Sequence, residues 1–485
     1  MQRIPIFLTL FSQLWTPSRR LEIQKECLKV AIIGSGIGGA STAYFLRRKF
    51  QNSPLKIDVF EPGVMGGRLA TVKIAGREYE VGGSVIHGKN LLMKEFLQIT
   101  DLKRNTHIDE RIAIIGKNDE VLFNEYPYIS TLQMLYRYGP TSLIKLQYLI
   151  STMLKEFSKV YPFLDQGHTF DSAKDFLLTI SPRPRRKKVL KEEDSFVNLT
   201  KISIKEMMTN MNFSPELINE LVSAVMRCNY GQSVNDANAF VGMVSLAGAD
   251  DSLWSVQGGN KLIPERLLAE SDINIINEMV TYVHKKGTSY LIGTKDNPLL
   301  KDENGDVLSM GVLPYDAVVI AAPLTSDANM GLKLPNSTKI PGKYHLTVTT
   351  IVHGIRDPKY FPGVTGNFLL YSDDENVINS VNLLKPVDYD GSEEVPSVWK
   401  IFSQRILSED ELHEIFSVIH SKEVIPWLAY PSYKHSFIDQ SFVFPNYERL
   451  YYLNTIEWAA SAMEMSAIGG KNVANMIYNQ FKDSI

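Results

Sequence analysis

Three stretches predict that this 485-residue chain is an α/β protein: a Rossmann-type dinucleotide-binding domain with an α+β domain inserted into it. In residues 30–61 a buried strand, a glycine turn, a helix, a second strand and an acid follow one another. The C-terminal segment Arg449 to Ser466 reads as strand, small-residue turn and helix start. Between them the character changes: residues 91–230 carry helical apolar spacing, and Lys339 to Tyr430 is rich in β-branched and aromatic residues. We expect the nucleotide domain from 29–110, 226–330 and 431–485 and the inserted domain from 111–225 and 331–430, after an N-terminal segment 1–28. The length suits two or three domains around a large core.

Composition is ordinary for a globular protein, and a net charge of −3 predicts no nucleic-acid partner. The two cysteines, Cys27 and Cys228, suggest neither a metal site nor a disulfide framework, and whether they pair is open. Met1-Gln2-Arg3, the largely apolar Ile4 to Trp15 and the polar Thr16 to Arg20 resemble a secretory signal, too short to span a bilayer. An irregular tail or a membrane-surface anchor is the other reading. N-x-S/T triplets at Asn198, Asn212 and Asn336 fit a secretory route.

Val30 to Ile33 has the composition of a strand buried on both faces. In the turn that follows, Gly34 permits the tight bend, Gly36 lets backbone approach a pyrophosphate and Gly39 lets helix and strand pack closely. The helix N-terminus offers N–H groups and partial positive charge to phosphates. Glu61 closes the second strand about 20 positions later, placed to accept ribose hydroxyls and to repel a 2′-phosphate. Gly66-Gly67-Arg68 comes next: the glycines let backbone lie against a cofactor and Arg68 can neutralise a phosphate. After a hairpin from Lys73 to Glu80, Gly82-Gly83 precedes Ser84 and His87. His87 reads as an acid/base or as a hydrogen-bonded core histidine.

Leu143, Leu146, Ile150, Met153 and Phe157 fall at helical spacing, which reads as a core helix, an apolar substrate cavity or a membrane-surface face. The basic run Arg183 to Lys188 reads as a solvated loop. Met226 to Ser233 is a compact polar block, and Gly258-Gly259-Asn260 looks like a helix start capped by Asn260. Asp272 to Lys285 and Tyr315 to Pro323 read as strands, and a helix is expected near Glu409 to Ser421. The turn around Ala459-Ala460-Ser461-Ala462 then supplies a second helix N-terminus, running to about Phe481.

In this order GSGIGG, VFE, GGRLATV, EYEVGGSVIH, MRCNYGQS, LWSVQGGNKL, VWKIFSQ, PWLAYPSYK and YYLNTIEWAASAMEMSAI resemble the prenylcysteine oxidase family, also called prenylcysteine lyase, from about Lys29 to the C-terminus. The resemblance implies an amine-oxidase-like flavoprotein with non-covalent FAD, to whose binding Gly38, Ser84 and Val280 are added. It implies a lysosomal or secretory setting and oxidative cleavage of farnesyl- or geranylgeranylcysteine to cysteine, an isoprenoid aldehyde and hydrogen peroxide, with O2 as oxidant. A carbon flanked by sulfur and an alkene can lose a hydride to flavin N5, so no side-chain nucleophile is needed. Burying an isoprenoid tail at roughly 0.8 kcal/mol per CH₂ would dominate binding. Motif position makes His87, Tyr230, Gln232 and Glu457 the catalytic candidates; Glu457 also reads as a buried, paired acid in the sheet-to-helix turn. Another flavin amine oxidase or desaturase, or an inactive prenyl-binding or flavin-binding relative, are the alternatives. Residues 181–194 match nothing in the family pattern.

Overall fold

The computed structural model describes residues 27–105, 111–126, 129–182, 195–248, 252–300, 314–325, 331–335, 340–364 and 366–484. The signal-like segment up to Glu26, the basic run Arg183 to Lys188 and the Asn336 triplet lie outside the described residues.

Five strands, Leu28–Ile33 (β1), Leu55–Phe60 (β2), Asn274–Ile276 (β9), Ala317–Ile320 (β12) and Leu450–Tyr452 (β18), form a wholly parallel sheet in the order β18-β12-β1-β2-β9. Its central strand is apolar throughout because both faces are covered. Val30 and Ile32 pack with Ile37–Lys49 (α1) and Met463–Phe481 (α13), while Ala31 and Ile33 meet the ribbon Val280–Lys286 (β10) and Ser289–Thr294 (β11). α1 is buried from Ile37 to Leu46, so it carries little amphipathicity, and Arg47, Arg48 and Lys49 meet the negative end of its dipole. The two helices approach so closely that a Cβ on Gly470 would lie 2.8 Å from the Gly38 carbonyl oxygen.

Two short pairs brace this unit: the hairpin Thr71–Ile74 (β3) and Arg77–Glu80 (β4), and the ribbon Arg104–Asn105 (β5) with Ser255–Val256 (β8). A second sheet has seven strands: Ile112–Ile115 (β6), Val121–Asn124 (β7), Tyr344–Arg356 (β13), Phe368–Tyr371 (β14), Ile378–Leu384 (β15), Val398–Ser403 (β16) and Phe416–Pro431 (β17). Their order is β17-β13-β16-β15-β14-β6-β7, antiparallel except for β14 with β6. Glu409–Ile415 (α12) covers one face of this sheet through Leu412 and Ile415, packed with Val352, Trp399 and Ile401. The opposite face meets the β3–β4 hairpin and Ser223–Tyr230 (α9).

The remaining helices are Leu91–Ile99 (α2), Ser130–Tyr138 (α3), Pro140–Phe157 (α4), Val160–Asp165 (α5), Ala173–Ile180 (α6), Phe196–Leu199 (α7), Ile204–Asn210 (α8), Ala239–Ala247 (α10) and Leu262–Ala269 (α11). Most of them share one hydrophobic core with α1 and α13, so the helical segment of the expected insertion packs into the nucleotide unit.

Two local expectations need correction, and a third, left open, is decided. The helix near Glu409 ends at Ile415, and Phe416 to Ser421 is strand, because pairing with the 13-residue β13 extends along the whole of β17. Asn260 does not cap a helix; its side chain accepts from Val256 N and donates to the Gly83 carbonyl, joining two loops. The stripe Leu143 to Phe157 is the core face of α4, with Leu146 and Met153 buried and the others packed half-buried against the core. Cys27 and Cys228 are not joined by a disulfide.

Candidate active site

The β1–α1 turn and the Gly66-Gly67 turn lie side by side, with Gly36 bridged to Gly66. Gly34 at φ +108° and Gly66 at φ +114° hold backbone that a side chain would strain. Gly39 has no room either: a Cβ there would lie 2.0 Å from the Gly34 carbonyl oxygen. Gly36 differs, because an added Cβ would make only ordinary contact with Gly66 at 3.6 Å. Glu61 is held at the end of β2, accepting from Ser35 N (3.1 Å), Ser35 Oγ (2.7 Å) and Gly63 N (3.0 Å). Its carboxylate is therefore oriented beside the start of α1. Val280 opens β10 in the same apolar cluster as Ile33 and Phe60.

Neither α1 nor α13 receives a side-chain hydrogen bond at its N-cap, which is Gly36 in one and Ala462 in the other. Two long helices thus end in unsatisfied N–H groups. With Glu61 placed for a ribose, a narrow glycine cradle and two positive helix ends, this donor set fits the adenosine diphosphate half of FAD.

Arg68 is in a different place from that expected. Its guanidinium makes a two-point ion pair with Glu457, at 3.0 Å from Nη1 to Oε2 and closer still from Nη2 to Oε1, and also donates to the Ala429 carbonyl (2.7 Å). Arg68 therefore answers a buried carboxylate, not a phosphate. Glu457 is fully buried and accepts further bonds from Tyr344 OH (3.0 Å) and Asn454 Nδ2 (2.7 Å). This is the paired-acid reading: a saturated carboxylate whose pairing compensates its desolvation. It locks the small-residue turn of the C-terminus to the GGR loop.

Tyr230 and Gln232 join this knot. Tyr230 OH donates to the Ser461 carbonyl (2.9 Å), and its ring meets those of Tyr430 and Tyr433 edge-on. Gln232 spends its amide on backbone, donating to Pro431 O (3.1 Å) and accepting from Tyr433 N (2.9 Å). Tyr433 in turn donates to the Glu457 carbonyl oxygen. Ala459 and Ala460 are wholly buried inside the turn. Burial holds Tyr230, Tyr344 and Tyr433 above the ordinary phenol range and pushes Tyr430 up to about 12. All four are neutral at physiological pH. The Nδ1 of His87 accepts from Lys89 N (3.0 Å), next to the backbone pair of Ile86 with Trp254. That is a local turn contact.

Two groups that the motifs did not expose complete the site. Glu80, at the end of β4, accepts from Asn260 N (2.6 Å), and burial pushes its carboxyl up to about 7. Lys400 lies in the middle of β16, is 5% exposed, and reaches Ser84 Oγ at 2.5 Å. It thereby brings a cation from the second sheet to the Gly82-Gly83-Ser84 loop. A Cβ on Gly82 would lie 2.0 Å from the Arg68 carbonyl oxygen and one on Gly83 3.0 Å from Leu69, so this loop is packed tightly on the GGR turn. A lysine inside the otherwise apolar VWKIF run is the signal that would have found Lys400.

Comparison with known proteins agrees with this geometry. The prenylcysteine lyase family model matches residues 123–485, and a model for NAD(P)-binding Rossmann-like domains matches 32–99. The chain is 34% identical to prenylcysteine oxidase 1 of Bos taurus, over 99% of this chain and 94% of that protein. It is 36% identical to prenylcysteine oxidase 1 of Homo sapiens (93% and 89% covered) and 31% identical to the human prenylcysteine oxidase 1-like protein (93% and 90%). Among solved structures, putrescine oxidase bound to putrescine superimposes with a TM-score of 0.59 at 13% identity, covering 94% of this chain and 100% of that one. Cyclohexylamine oxidase from Brevibacterium oxydans gives the same TM-score, identity and coverage. The fold is thus shared with these amine oxidases, and by the extent of its match in sequence the chain belongs to the prenylcysteine lyase family.

Proposed function

We propose that the protein is an FAD-dependent oxidase that cleaves the thioether of farnesyl- or geranylgeranylcysteine, giving cysteine and an isoprenoid aldehyde. Water adds to the oxidised carbon and supplies the aldehyde oxygen as the carbon–sulfur bond breaks; dioxygen is the oxidant and hydrogen peroxide the third product. The observation that carries this reading is the convergence of the GGR, GGS and C-terminal small-residue turns on one cradle, in a chain of the prenylcysteine lyase family. The identity to human prenylcysteine oxidase 1 (36%) exceeds that to its 1-like relative (31%), which supports the oxidase reading.

FAD, when bound, supplies the acceptor for the two electrons that leave the thioether carbon. The chain's own residues position and insulate. Arg68 and Glu457 fix the GGR loop against the α13 turn, and Tyr230, at the end of α9, and Tyr433, just after β17, close that turn. The buried tyrosines keep their protons, so the knot offers no ready base, as suits loss of a hydride and not of a proton.

Lysosomal or secretory placement and peripheral membrane association belong to the same reading, since a prenylcysteine partitions into bilayers. The signal-like N-terminus supports it, as does Asn212, which is exposed on a left-handed turn. Asn198 is half-buried and its Thr200 is buried, so a glycan is expected at Asn212 first. Protein from a secretory host should lose one glycan's mass on enzymatic deglycosylation; no shift there would remove this support.

The test of activity is an anaerobic visible spectrum before and after farnesylcysteine. Bleaching of the flavin band, then its return in air with peroxide release, is the expected result. A bound flavin that stays oxidised would exclude this substrate, and a colourless protein would exclude the flavin.

A further inference from the structure

The face of α4 opposite its core stripe is open to solvent and apolar. Ile144 is 67% exposed and Tyr148 73%, one turn apart, with Thr141, Ser151 and Lys155 along the same stripe. α3, joined to α4 through Gly139 alone, repeats the pattern: Leu132 is 66% exposed and Tyr136, four residues on, 95%. Single exposed apolar residues are ordinary on a soluble surface, whereas four large ones on two consecutive helices are not. The charge pattern is one-sided as well. From Ser130 to Lys155 there is no acid, and the cations are Arg137, Lys145 and Lys155. Arg137 is paired with Glu220, and Lys145 donates to the Met211 carbonyl (3.2 Å) beside the Phe213 ring, which leaves Lys155 as the exposed cation on the stripe itself, with the charge of Lys145 at its edge. Tyrosine and aliphatic side chains beside lysine, on helices whose one acid, Glu156 near the end of α4, is largely buried and paired with Lys159, have the chemistry of an element lying in the headgroup region of an anionic bilayer. Among the described residues no helix is long and apolar enough to cross a membrane, so such contact would be peripheral.

We propose that the α3–α4 hairpin is the surface on which this protein docks to a bilayer carrying anionic phospholipids. Leu132, Tyr136, Ile144 and Tyr148 enter the headgroup boundary, Lys155 meets the phosphates, and Lys145 adds positive charge at the edge of the surface. The underside of the hairpin gives the docking a purpose. Met134 packs into the cluster that also takes in Leu221, Cys228 and Phe368, on the sheet face served by α9, the helix that ends in Tyr230. Apolar packing thus connects the underside of the docked surface to α9, which carries Tyr230. This purpose rests on the prenylcysteine reading; the docking and its test do not.

The experiment is co-sedimentation of the purified holoprotein with phosphatidylcholine vesicles, with and without phosphatidylserine. The wild type should pellet with the phosphatidylserine vesicles. Replacing the four apolar residues together, Leu132→Ser, Tyr136→Ser, Ile144→Ser and Tyr148→Ser, should weaken partitioning at least about tenfold while leaving thermal unfolding and bound flavin unchanged. Lys155→Glu alone, which perturbs no packing, should reduce binding to phosphatidylserine vesicles only. The proposal is overturned if the wild type ignores both vesicles or if the quadruple variant binds like wild type. It is equally overturned if the variant merely turns a dimer into a monomer with vesicle binding intact. Flavin bleaching by farnesylcysteine, measured on the same samples without vesicles, reports separately on the prenylcysteine reading.

Discussion

The glycines of the cradle separate two kinds of requirement. At Gly39 and Gly82 an added Cβ would sit 2.0 Å from a carbonyl oxygen of the protein itself, so these positions serve the fold whether or not a ligand is present. At Gly36 the backbone is extended, φ −64° and ψ 177°, and a Cβ would meet only ordinary contacts. Gly36→Val is therefore expected to fold and to purify colourless, because its methyl groups occupy the place of a pyrophosphate. Gly39→Val is expected to lose several kcal/mol of stability, in the range of overpacked cores. Flavin absorbance and a melting curve on the two variants check this; full flavin in Gly36→Val would remove the phosphate assignment. The same scale shows where motif reading stops. GGR correctly marks a tight turn, but the partner of Arg68 is Glu457, 389 residues away, and nothing local identifies it. Gln232 and His87 carry the right chemistry for a site, yet the structure spends Gln232 on backbone and gives His87 a turn contact.

At the scale of elements, periodicity located what is decided locally. β1, α1 and β2 follow from an apolar run, a glycine turn and a second apolar run, and α13 follows the small-residue turn. Elements decided by a partner were less legible. Phe416 to Ser421 continues a helical pattern on paper and becomes strand because β13 offers a long run of unpaired backbone. α4 carries two apolar stripes, and spacing alone does not tell which one the core takes. Packing of Leu146 and Met153 settles it, which makes Ile144 and Tyr148 the stripe left for a membrane.

For the molecule as a whole, two buried acids make stability depend on pH. Glu80 ties the β3–β4 hairpin to the α11 loop, and Glu464 ties α13 to α2 and α5 by accepting from Leu92 N, Met93 N and Tyr161 OH. Burial pushes each carboxyl up to about 7. The native state then binds more protons than the unfolded chain between the ordinary carboxyl range and that value, so stability falls as pH rises through this window. The loss is up to about 3 kcal/mol per group. The protein is expected to melt at a higher temperature near pH 5 than near pH 7.5, and Glu464→Gln should flatten the difference. Equal melting temperatures for the wild type across that window would show that both acids ionise without penalty. The amino-acid sequence by itself determined the dinucleotide unit, the family and the glycine turns of the cradle, since each depends on neighbours in the chain: glycine conformations, strand and helix periods, and an acid at a set distance. Only the tertiary structure decided that Arg68 belongs to Glu457, that Lys400 reaches Ser84 and which side of α4 faces water. Those outcomes rest on contacts between segments hundreds of residues apart, or on the surface left after the core has formed, and no local spacing encodes either.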